Sequence, residues 1–97
     1  FTVTQEEIDI SNAFRAGFDL INNVTLMENE DVSKLTDEQK TLAVLNHFLP
    51  LVNDLNLGLS IEVKKDDHPD YPDDYVVKLI KDGKTSTKYV TVQFGSN

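Results

Sequence analysis

Apolar positions along this chain recur first at helical spacing and then in alternation. Ile10, Phe14, Gly17, Phe18 and Ile21 share one stripe of a 3.6-residue period, flanked by Ala13 and Leu20. This predicts an amphipathic helix over about residues 5–22. Thr4-Gln5-Glu6-Glu7 announces its start as a capping box, in which the Thr4 hydroxyl accepts from the Glu7 amide and the Glu7 carboxylate accepts from the Thr4 amide. Val3 and Ile8 hold the positions of a hydrophobic staple. Asn22-Asn23 supplies the stop, because asparagine tolerates left-handed backbone.

Val24, Leu26 and Val32 can anchor a loop or a short strand, whereas Glu28-Asn29-Glu30-Asp31 is too polar to bury. A second capping box follows at Thr36-Asp37-Glu38-Gln39. From Leu42 to Leu55 the pattern is apolar along two rows: Leu42, Leu45, Leu49 and Val52, then Val44, Phe48, Leu51 and Leu55. A helix apolar on most sides is expected to be buried on most sides. Pro50 lacks an amide donor and clashes with the preceding turn, which predicts a kink near Asn46–Pro50 or a break into two helices. Gly58 closes the segment.

After Gly58 the period becomes two. Leu59, Ile61 and Val63 alternate with Ser60, Glu62 and Lys64, as in a half-buried strand. Asp66 to Asp74 carries two prolines and five aspartates and reads as a loop. Tyr75–Lys81 and Thr85–Phe94 read as two further strands, joined by a type I′ turn at Asp82-Gly83. Helices followed by strands give the α+β class: two N-terminal helices packed on a three-stranded antiparallel β-meander, as a single domain over residues 1–97. Phe1-Thr2-Val3 can add a short edge strand. The expected core is Phe14, Phe18, Leu45, Leu49, Val52, Ile61, Val90 and Val92.

Composition narrows the function classes. Seventeen acids against nine bases leave a net charge of −8, which disfavours direct nucleic-acid binding. No apolar run approaches the ~20 residues that span a bilayer. The absence of cysteine removes disulfides, thiolate catalysis and sulfur-ligated metals together. The first residue is Phe1 rather than Met. This points to a removed upstream segment, and extracellular or cell-surface placement fits such processing.

Candidate chemistry is sparse. Asp66, Asp67, Asp70, Asp73 and Asp74 beside His68 offer oxygen ligands for a hard cation, but their spacing lacks the alternating acids, glycine and terminal glutamate of a calcium loop. His47 has no acid or histidine at zinc-pair spacing. No serine sits in a nucleophile elbow, and the four glycines are scattered rather than gathered in a phosphate loop. Asn23-Val24-Thr25 matches the N-glycosylation pattern. Catalytic, cofactor and metal residues are therefore expected to be none.

Charge is uneven. Residues 1–33 hold Glu6, Glu7, Asp9, Asp19, Glu28, Glu30 and Asp31 against Arg15 alone. These seven form the candidate partner surface. The leading expectation is a small, acidic, non-enzymatic module that binds another protein, as part of a larger secreted, surface or accessory factor. One alternative is an acidic inhibitor or immunity-type protein that blocks a basic nuclease or DNA-binding partner. The other is a metal-binding domain using the Asp66–Asp74 loop.

Overall fold

The computed structural model describes residues 3–95. Two helices, α1 (Gln5–Asp19) and α2 (Asp37–Asp54), accompany four strands: β1 (Val24–Leu26), β2 (Ser60–Lys65), β3 (Asp74–Lys81) and β4 (Lys84–Phe94). The α+β class holds, but the sheet is four-stranded and mixed, with order β1-β4-β3-β2. β2, β3 and β4 form the expected antiparallel meander. The correction is β1, which pairs parallel to the end of β4 with Val24 opposite Val92 and Leu26 opposite Phe94. Three residues are too few to display an alternation, and nothing local marks a pairing partner about seventy positions away. Of the proposed Phe1-Thr2-Val3 strand, Phe1 and Thr2 lie outside the described residues, and Val3 is exposed and not in a strand.

The helix starts follow their caps. Thr36 Oγ1 accepts from the Gln39 amide at 3.1 Å and Gln39 Oε1 accepts from the Thr36 amide at 2.9 Å, a complete capping box. At Thr4 the hydroxyl accepts from the Glu7 amide at 3.2 Å, and the return bond is not formed. α1 ends at Asp19, three residues before the expected stop, and Asn22 Nδ2 donates to Asp19 O at 3.0 Å. α2 runs unbroken through Pro50, and Asn56, at φ 54°, supplies the left-handed residue beyond its end before Gly58 does. Pro50 itself is exposed. Its cost of about 3 kcal/mol is outweighed by burial of Val44, Phe48 and Val52, at roughly 1.5–3 kcal/mol each.

Both helices cover one face of the sheet. Tyr75, Val77 and Leu79 of β3 are buried in alternation, and Val90 and Val92 of β4 lie on the same side, since Tyr75 is opposite Val90. Ala13, Ile21, Val44, Phe48 and Val52 complete that core. Of the expected core, Val52, Val90 and Val92 are buried. Phe14, Phe18 and Ile61 are half-buried against it, and Leu45 and Leu49 are half-buried outside it. Gly17 allows the close approach of α1, because a Cβ there would stand 2.6 Å from Leu79 Cδ1 and 3.1 Å from Leu59 Cδ1. The β3–β4 turn is the one expected, with φ of 51° at Asp82 and 79° at Gly83.

One lysine of β4, Lys88, points toward the helices. It lies opposite Val77, on the helix side, and its ammonium donates to Phe18 O at 2.9 Å and Ile21 O at 2.6 Å. The last turn of α1 contains no base. A lysine from β4 thus supplies the positive charge that the end of a helix dipole favours.

Candidate functional site

The seven acids do not converge. Glu6, Glu7 and Asp9 occupy the first turns of α1, where Gln5 Nε2 donates to Asp9 Oδ1 at 2.9 Å. Glu7 lines a groove with Lys84, Thr85 and Ser86, at the start of β4. Glu28, Glu30 and Asp31 follow β1, whose Leu26 O accepts from Gly95 N at 2.9 Å, beyond the end of β4. Between Ser86 and Phe94 lie eight strand steps, or about 26 Å at ~3.3 Å per residue. Asp19 stands apart at the end of α1. Asp31 accepts from both the hydroxyl and the amide of Ser33, at 2.7 and 3.0 Å, which holds its carboxyl below the usual range.

The aspartate loop is organised by its own backbone. Asp66 N donates to Asp74 O, Tyr71 N to His68 O and Asp74 N to Tyr71 O. Asp70 N donates to His68 Nδ1 at 3.1 Å, and Lys65 Nζ to Pro72 O at 2.6 Å. Asp74 Oδ1 is taken by the Thr91 hydroxyl at 2.7 Å. Among the described residues no three of its acids and His68 gather as metal ligands. His47 stacks edge-on against Phe48, its ring centroid 5.0 Å away. Asn23 Oδ1 accepts from Thr91 N at 2.9 Å, so the side chain of the glycosylation pattern already serves as a cap beside β4.

Two other surfaces have shape. One is an open groove of about 730 Å³ between α1 and the chain after α2, lined by Asp9, Asn12, Leu57 and Lys81. There the Lys81 ammonium is taken by Leu57 O at 2.6 Å. The other runs along α2 and β2. Leu42 and Leu45 line it together with Val63, Lys64 and Lys65, and it continues past Leu45 to Ile61 and Glu62.

The α2 row explains this second groove. Leu42, Leu45 and Leu49 follow one another at helical spacing, turned by about 100° from Val44, Phe48 and Val52. The latter row faces the sheet. Of the former, Leu42 and Leu45 line the groove against β2, the last strand of the sheet, and Leu42 is 56% exposed, while Leu49 is half-buried. Among the described residues, no strand lies on the outer side of β2. At the end of the β2–β3 ladder Asp66 N donates to Asp74 O, which fixes the phase of the ladder. Even-numbered residues of β2 bond to β3, and the amides of Ile61, Val63 and Lys65 turn outward. Open backbone groups beside an apolar wall make a surface suited to another chain.

Sequence reasoning found these residues and misplaced them. Leu45 and Leu49 were expected inside. The available signal was the second apolar row itself, because a helix lying on a single sheet face needs only one. Comparison of the chain with family models, with curated proteins and with solved structures finds no match.

Proposed function

We propose that this chain is a non-enzymatic protein-binding module whose docking surface is the outer flank of α2 together with the free edge of β2. The observation that supports it most is Leu42 and Leu45 lining a groove beside β2, the outermost strand on that side of the sheet among the described residues. Outward amides supply affinity without sequence preference, and the leucines and Val63 supply selectivity. The flanking charges are mixed, with Asp37 and Glu38 on one wall and Lys64 and Lys65 on the other.

This reading differs from an acidic inhibitor in a measurable way. Binding through leucines and backbone amides changes little with ionic strength, whereas binding through dispersed carboxylates weakens steeply as salt screens them. The test measures binding of a partner at low and high sodium chloride, with Leu45→Asp as the control. Affinity that persists in salt and is lost in Leu45→Asp supports the module. Affinity that collapses in salt and survives Leu45→Asp supports the acidic inhibitor instead.

A further inference from the structure

We infer that the occupant of this surface is a second copy of the chain, joined antiparallel through β2 about a two-fold axis perpendicular to the sheet. The inference rests on the protein-binding reading above and names its partner.

Symmetry restricts the register. Antiparallel pairing about such an axis keeps both pairs of helices on one side of a continuous sheet, and directly opposite residues must share a face. Odd positions of β2 therefore meet odd positions and even meet even. The outward amides belong to Ile61, Val63 and Lys65, so these make the new hydrogen bonds: Val63 with its own copy, and Ile61 with Lys65 of the other chain.

Charge then selects among the permitted registers. Centred on Val63, the pairing places Glu62 opposite Lys64 on the solvent face, and by symmetry does so twice. Moved by one step toward the start of β2, it sets Glu62 against Glu62. Moved one step the other way, it sets Lys64 against Lys64 and Glu62 against Asp66. Of these three registers only the one centred on Val63 opposes unlike charges, and cross-strand pairs of this kind are stabilising while like pairs are not. Lysines on an edge strand normally discourage pairing. Here Lys64 disfavours the register that sets it against its own copy and supports the one that sets it against Glu62.

The apolar wall completes the match. Leu42 and Leu45 of α2 line the same edge, so the two-fold axis brings them in each copy toward those of the other, above the Val63 pair. Glu62 already stands 3.5 Å from Lys78 of its own chain. In the pair it lies between two lysines, extending an ion ladder across the joined sheets.

The test is the molar mass of the full chain by sedimentation over a range of concentrations, with circular dichroism confirming the fold of each variant. The wild type is expected to reach twice its 10.9 kDa. Glu62→Lys and Lys64→Glu each oppose like charges at both ends of the pair, and each weakens association by roughly tenfold or more. Mixing the two variants restores unlike pairs and yields a heterodimer, while the double substitution in one chain restores unlike pairs in a homodimer. A wild type that stays monomeric throughout overturns the inference, as does a dimer indifferent to both swaps. The two failures separate. A monomer that binds a different protein in a Leu45-dependent manner removes the second copy and leaves the docking surface, whereas the absence of any Leu45-dependent partner removes both.

Discussion

The two apolar rows of α2 are nearly alike in composition and opposite in circumstance. Val44, Phe48 and Val52 are almost completely enclosed against Tyr75, Val77 and their neighbours, with Phe48 only 1% exposed. Leu42 and Leu45 stand further around the helix, beside the outer edge of β2, which no strand covers among the described residues. Hydrophobicity alone does not tell a core from an interface. The difference lies in whether the fold itself provides the covering surface, and for the second row it does not.

The largest expected effect breaks the enclosed row. Phe48→Ala removes a ring packed on every side and costs about 3–5 kcal/mol by chemical denaturation. Lys88→Met comes next. It keeps the aliphatic stem but leaves Phe18 O and Ile21 O without their charged donor, for a loss of about 1.5–3 kcal/mol.

A smaller effect, confined to alkaline solution, sharpens the contrast between the enclosed face and the open one. Burial, aided by Asp37 and Asp73, raises the Tyr75 phenol above its ordinary value of 10.0. The folded state therefore keeps this proton where the unfolded state releases it. Stability from this group is complete below the ordinary value and falls as pH rises beyond it. Tyr75→Phe should flatten that alkaline decline in thermal unfolding.

The same contrast governs how much could be read from the chain alone. The caps at Thr4 and Thr36, the Asp82-Gly83 turn and the three long strands are local signals, each carried by a few adjacent residues, and each was legible. β1 was legible only as one of two readings, a loop or a short strand. Its parallel pairing was not legible, because that depends on Val92 and Phe94 rather than on its own three residues. α1 ends three residues short of Asn22, and part of its cap comes from Lys88, on another element, which no local pattern announces. The α2 rows were both visible as apolar, but periodicity gives an angle around a helix and not the neighbour that lies there. Val52 was placed correctly and Leu45 and Leu49 were not, although all three had been assigned to one row. The acids of residues 1–33 were grouped by proximity in sequence, and the fold carries Glu7 and Glu30 to opposite ends of β4.

The central claim is that Leu42 and Leu45 serve association more than folding. The most direct measurement takes Leu42→Ala combined with Leu45→Ala and follows unfolding and association on the same sample, with unfolding measured at high dilution. Because both side chains are partly exposed in the single chain, the account predicts a stability loss of at most about 1–2 kcal/mol, together with loss of association. A variant that loses as much stability as Phe48→Ala while associating like the wild type would contradict it.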